Sequence, residues 1–337
     1  MKTYIRIITR SFLFLLLVGV ISCNNTPKPV QKTSTVNHEE IPVPSFNPDS
    51  AYLYVKQQVN YGPRVNNTPA HEKCAVMLAG KLRSLGAKVI VQDGHVKTFN
   101  GKDLKIENII ASYQPEKKSR ILICSHWDSR PFADHDPDPK NRNKPIDGAN
   151  DGASGVGVII EIARQISISS PSIGVDLLLL DAEDYGPPQD QMRNEDTSDW
   201  WGLGTQFWAK NPHVPGYTAR FGVLLDMVGA PNATFLMEAS SINYASSVVK
   251  NIWTTASEIG YSDYFIFEQG GSITDDHVFI NKIINIPTID IIHLDRNSQT
   301  GFYPYWHTLK DDMNSIDKNT LKAVGQTLLT VIFRAQN

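Results

Sequence analysis

The apolar positions of this chain fall into two rhythms that alternate along it. Short, nearly continuous apolar runs occupy Ile106–Tyr113, Arg120–Ser125, Val175–Leu180, Phe221–Asp226, Thr234–Glu238 and Pro287–Ile292. Runs of this length, bounded by turn residues, predict strands buried on both faces of a sheet. Between them, apolar residues recur at helical spacing over Ala51–Asn60, Ala70–Leu85, Ser154–Ile168, Thr205–Lys210, Ile242–Ile259 and Lys318–Ala335. Gly86 and Gly260 follow two of these segments, where a helix ends most cheaply. Lys88–Val91 and His95–Phe99 flank Asp93-Gly94, a pairing that predicts a hairpin. Strands alternating with helices predict an α/β fold, with a mostly parallel sheet covered on both faces.

The beginning of the chain stands outside that pattern. Lys2, Arg6 and Arg10 precede the apolar run Phe12–Ile21, which is too short to span a bilayer and has the form of a signal-peptide core. The run ends in Val20-Ile21-Ser22-Cys23, an arrangement that resembles a bacterial lipobox; the plainer reading is a secretory signal with a chance cysteine. The expected organisation is a signal peptide over 1–22, a flexible tether over 23–48 rich in Pro, Thr, Asn and Lys, and one catalytic domain over 49–337. A lipid on Cys23 implies a membrane-anchored protein of the bacterial cell envelope, facing the periplasm. Of the remaining cysteines, Cys74 and Cys124, the second lies in a core-strand candidate, where a buried free thiol is the usual outcome. The net charge of −3 leaves no polybasic signal for nucleic acid.

Polar residues gather where the strand candidates end, the edge at which open α/β sheets place ligands. Val175–Leu180 runs directly into Asp181, Glu183 and Asp184. Adjacent carboxylates there need a cation, or one must hold a proton. Asp184 can bind a metal while Glu183 stays free as a general acid/base; read alone, the cluster is equally compatible with a solvated turn. His126 and Asp128 follow another strand and can face the same way, so that Asp128 orients His126. Asp151 stands in the small-residue stretch Gly148–Gly155, just before a helix. It can cap that helix, or Ser154 can cap it and leave Asp151 to a metal. Asp226 ends a strand, Asp275 precedes Asp276-His277, and His307 follows Tyr305-Trp306. Together, His126, Asp151, Glu183-Asp184, Asp226 and His307 form a carboxylate and imidazole set suited to zinc.

The words HWDS, GANDGASG, LLLLDAED, LLDMVG, TDDHVFI and WHT appear in this order. In that order they resemble the zinc aminopeptidase fold family, which groups co-catalytic aminopeptidases with animal-type glutaminyl cyclases. The resemblance covers about residues 49–337. It implies a three-layer α/β/α sandwich with a mixed, mostly parallel central sheet. In the di-zinc aminopeptidases, the positions matching His126, Asp151 and Asp226 hold one zinc, and those matching Asp151, Asp184 and His307 hold the other. Three features are similar to the cyclase branch instead: Asp275 where peptidases commonly carry serine, Trp306 before the metal histidine, and Phe302 five residues before it. The cyclase resemblance implies one zinc on Asp151, Asp184 and His307. It implies Glu183, Asp226 and Asp275 as the proton-handling group and Trp306 and Phe302 as pocket walls, with Trp201 or its neighbour Trp200 completing the wall. Its substrates are peptides and proteins with an N-terminal Gln, closed to pyroglutamate with release of ammonia. The alternative is a di-zinc aminopeptidase. A catalytically dead binding lipoprotein is a third reading, disfavoured by the intact Glu183. The family also implies a cis bond after Asp151. One departure stands out: animal cyclases carry Glu at the second acid and a nearby Trp, whereas this chain has Asp184 followed by Gly186-Pro187, with Trp200-Trp201 later in the segment.

Overall fold

The computed structural model describes residues 42–191 and 198–336. The signal segment, Cys23 and most of the tether lie outside the described residues. Six strands form one sheet in the order β1-β2-β4-β3-β5-β8. They are β1 (Lys88–Lys97), β2 (Asp103–Tyr113), β3 (Arg120–His126), β4 (Gly174–Leu180), β5 (Phe221–Asp226) and β8 (Thr288–Ile292). The β1–β2 and β2–β4 pairs are antiparallel, whereas β4, β3, β5 and β8 run parallel. Two further strands, β6 (Phe235–Met237) and β7 (Phe265–Gln269), pair with each other.

Alternation along each strand sends neighbouring side chains to opposite faces. Ile121, Ile123, Leu177, Leu179, Val223, Leu225 and Ile289 enter a large core with residues of α1 (Pro48–Val59), α2 (Pro69–Ser84), α3 (Ala153–Ile168), α5 (Ala239–Glu258) and α7 (Lys318–Arg334). Leu122, Cys124, Leu178, Leu180 and Leu224 turn the other way, onto Trp208 and Ala209 of α4 (Leu203–Lys210) and onto Ile280 and Ile286. The result is a three-layer α/β/α sandwich with a mixed, mostly parallel sheet, as the sequence predicts. Cys74 and Cys124 are both buried free thiols.

Three local expectations are corrected. The hairpin at Asp93-Gly94 does not form: Lys88–Lys97 is one unbroken strand, and Asp93 and Gly94 pair with Glu107 and Ile106. Gly94 serves close packing instead, since a Cβ there would stand 2.6 Å from the Phe207 ring of α4. No peptide bond among the described residues is cis, so the bond after Asp151 is trans; the left-handed backbone of Gly152, at φ +94°, turns the chain into α3. Neither Asp151 nor Ser154 caps that helix by its side chain. Ser154 Oγ donates to Asn150 O at 2.6 Å and accepts from Val228 N at 3.0 Å, which ties the start of α3 to the chain leaving β5. Two elements escaped the pattern: β7, of which only Phe265 is buried, and the short helix α6 (Asp276–Phe279) with the π-turn that follows it.

Candidate active site

Because β3, β4, β5 and β8 are parallel, their carboxyl ends share one edge. β3 ends in His126, β4 leads into Asp181–Asp184, and β5 ends in Asp226. His126 Nε2 lies 3.0 Å from Asp151 Oδ1 and 3.2 Å from Asp226 Oδ1. On the other side of Asp151, His307 Nε2 lies 3.5 Å from Asp151 Oδ2 and 3.2 Å from Asp184 Oδ1. Asp151 therefore stands between two groups of three, each with its donor atoms within 4.8 Å of one another. Asp151 Oδ2 and Asp184 Oδ2 are buried without a hydrogen-bond donor from the described residues. Buried carboxylate oxygens left so need a cation or a proton. Two carboxylates and an imidazole are a donor set that fits zinc.

Strained backbone aims these groups. Ala182 (φ +50°), Met227 (φ +48°) and His307 (φ +55°) adopt the left-handed region without being glycine. Such residues cost roughly 1–3 kcal/mol each and persist where the surroundings enforce them. Asp181 is one enforcer rather than a member of the site. It accepts from Ala182 N at 2.7 Å, Asn66 Nδ2 at 2.9 Å and Glu107 N at 2.6 Å, and it pairs with His71 at 2.9 Å. Asp128 is another. Its carboxylate accepts from the amides of Glu183 and Asp184 at 3.1 and 3.2 Å. The expected orientation of His126 by Asp128 is weak by comparison, with His126 Nδ1 3.5 Å away. Asp311, four residues past His307, accepts from the amides of Asn150 and Asp151 at 2.8 and 3.0 Å.

A cavity of about 250 Å³ opens over this edge. Its wall contains Asp151, Asp184 and His307, the carboxyls of Glu183, Asp226 and Asp275, and the rings of Trp201, Phe302 and Trp306. His126 lies behind them, buried. Trp306 stacks on His307 at 3.7 Å, Phe302 packs on Trp306 at 4.6 Å, and Trp201 lies parallel to His307 at 6.4 Å. Trp201, not the exposed Trp200, thus supplies the wall that the departure after Asp184 left open. Gly186 makes the bed for it, since a Cβ there would stand 2.3 Å from the indole.

Burial, reinforced by Asp275, holds the Glu183 carboxyl well above the usual carboxylate range. Burial and then Asp226 push Asp275 to about 7. Burial also raises Asp226. Several members of this neighbourhood were not singled out from the sequence. Asp290 of β8 is fully buried with neither oxygen hydrogen-bonded among the described residues, its Oδ2 lying 3.9 Å from His277 Nδ1, and His277 Nε2 meets Glu238 at 3.2 Å. An Asp in the middle of the apolar run Pro287–Ile292 was a visible signal for the first. Arg130 and Asp134, directly after His126–Ser129, were the other omission.

The model of Peptidase family M28 matches residues 108–332, which span the sheet from β2 onward and every residue named for the cavity. The chain belongs to this family. The solved glutaminyl cyclase of Bacteroides thetaiotaomicron bound to N-acetylhistamine is 54% identical, over 88% of this chain and 100% of that one, with a TM-score of 0.85. A structure from the same organism described as a leucine aminopeptidase precursor is 53% identical at the same TM-score and the same coverage. A curated relative, the glutaminyl-peptide cyclotransferase of Bos taurus, is 25% identical over 252 residues, 66% of this chain and 64% of that protein. The chain thus spans slightly less than two thirds of this curated relative's length.

Proposed function

We propose that this chain is a zinc-dependent glutaminyl-peptide cyclotransferase that converts the N-terminal Gln of peptides and proteins to pyroglutamate and releases ammonia. The observation that carries this reading is Asp275. It stands buried on the cavity wall with Glu183 and Asp226, at a position where the resembling aminopeptidases commonly carry serine. Asp151, Asp184 and His307 would hold zinc, which would supply Lewis-acid polarisation of the substrate γ-carbonyl. The nucleophile is the substrate's own α-amine, so the reaction requires no second metal to make hydroxide, and one zinc per chain suffices.

Glu183 does the proton work. Its carboxylate accepts a proton from the α-amine as the new C–N bond forms. It returns that proton to the side-chain nitrogen as the old C–N bond breaks and ammonia leaves. A carboxyl that must accept and then donate benefits from a raised pKa, which burial and Asp275 supply. Close carboxylates without an intervening cation cannot all ionise cheaply, so Glu183, Asp226 and Asp275 share protons as one group. Trp201, Phe302 and Trp306 give a small apolar pocket that excludes bulk water from the Gln side chain. A lipid on Cys23 would hold the enzyme at a membrane of the cell envelope, facing the periplasm.

The aminopeptidase reading keeps one observation in its favour: His126, Asp151 and Asp226 form a second metal-compatible group. Parallel assays of the purified chain separate the two. Gln-initiated peptides are expected to release ammonia and acquire a blocked N-terminus, while Leu arylamides stay intact. Free leucine product without ammonia release would transfer the protein to the peptidase branch.

A further inference from the structure

Arg130 is fully buried and lies outside the cavity wall, yet it reaches three parts of the site. Its Nε and Nη2 donate to the two oxygens of Asp134, each at 2.8 Å. Nη1 donates to Asp184 O at 3.1 Å and to Asp184 Oδ1 at 3.3 Å. Nη2 also reaches Pro187 O at 3.3 Å. The guanidinium carbon sits 5.0 Å from the centre of the Trp201 ring. Beyond it, Asp134 Oδ1 stands 3.4 Å from His307 Nδ1.

These contacts have a direction. A donor on Asp184 Oδ1 leaves Oδ2 of the same carboxylate as the unpartnered oxygen. Asp134 Oδ1 stands too far from His307 Nδ1 for a well-formed hydrogen bond, but its negative charge favours a proton on that nitrogen and leaves Nε2 free for a ligand. A cation over the face of Trp201 draws that indole toward the same centre. The planar fork of arginine can make these contacts at once; a lysine ammonium cannot.

We propose that Arg130 is a positioning residue that couples metal retention to substrate affinity: one guanidinium sets how Asp184 and His307 face the metal and also holds the Trp201 wall of the pocket. The proposal rests on the reading of Asp184 and His307 as metal ligands.

The test uses the purified full chain and its Arg130→Lys, Arg130→Met and Trp201→Leu variants. Zinc affinity is read by competition with a chelating indicator, without substrate, and KM and kcat are read on a Gln-initiated peptide. Both Arg130 variants are expected to weaken zinc binding about 10–100-fold, the usual cost of losing a group that orients metal ligands. They are also expected to raise KM at saturating zinc by more than they lower kcat. Trp201→Leu is expected to raise KM alone. Should Arg130→Met fail to fold, Arg130→Lys keeps the charge, loses the fork and carries the test. A folded Arg130 variant with zinc affinity or KM unchanged overturns the coupling and leaves Arg130 a structural ion pair. Asp184→Asn and His307→Gln serve as the control arm: if neither weakens zinc binding, the ligand reading fails instead, and Arg130 loses its proposed role with it.

Discussion

Glu183 and Asp184 are adjacent in sequence but face different partners. Asp184 meets the His307 imidazole and the Arg130 guanidinium, whereas Glu183 lines the cavity beside other carboxyls. Glu183→Gln is therefore expected to keep the fold and the zinc while kcat falls about 10²–10⁴-fold, the usual share of general acid–base catalysis; near-normal turnover would remove Glu183 from the chemistry. Asp275 gives a prediction about stability. Its pKa is raised from 3.8 to about 7, so between those values the folded state holds a proton that the unfolded state lacks. The contribution to stability is full below the lower value and is lost as pH rises through the upper one. Asp275→Asn is neutral at every pH. In metal-free protein its stability relative to the native side chain should rise between about pH 4 and pH 7. Denaturant titrations across that range check it, and a flat difference counts against a shared proton on Asp275. The same variant is expected to retain zinc and lose nearly all cyclisation.

Helix α3 fixes the site at the scale of elements. A Cβ on Gly155 would stand 2.3 Å from Ser125 Oγ and 2.5 Å from Leu225 O, so the helix start presses directly on the ends of β3 and β5. Gly155→Ala should destabilise the protein by about 1–3 kcal/mol, the ordinary cost of overpacking. It should also weaken zinc binding, because Asp151 enters from that same turn; a shift in stability with zinc affinity untouched would detach the two effects. Much of this architecture was legible in the sequence. The apolar runs of β3, β4, β5 and β8, with His126 closing β3, Asp181–Asp184 following β4 and Asp226 closing β5, carry both the sheet and its catalytic edge. The misses have physical causes. Asp93-Gly94 carries a turn pair, but pairing with Glu107 and Ile106 and the pressure of Phe207 make it strand. β7 is largely exposed beyond Phe265, so its pattern is weak. Asp128 sits two residues from His126 but satisfies backbone amides of Glu183 and Asp184, a tertiary contact that spacing does not encode.

At the scale of the whole molecule, the proposed lipid anchor would tie the catalytic domain to a membrane. If Cys23 carries lipid, Cys23→Ala should release the enzyme from the membrane fraction with its activity intact; membrane-bound, processed variant would rule the lipid out. In the proposed mechanism, proton sharing among Glu183, Asp226 and Asp275 replaces a second metal. Stoichiometric zinc titration of metal-free enzyme tests it most directly, with ammonia release from a Gln-initiated peptide as the readout. Activity is predicted to rise linearly and reach its plateau at one zinc per chain. A plateau reached only at two zincs per chain would contradict the account.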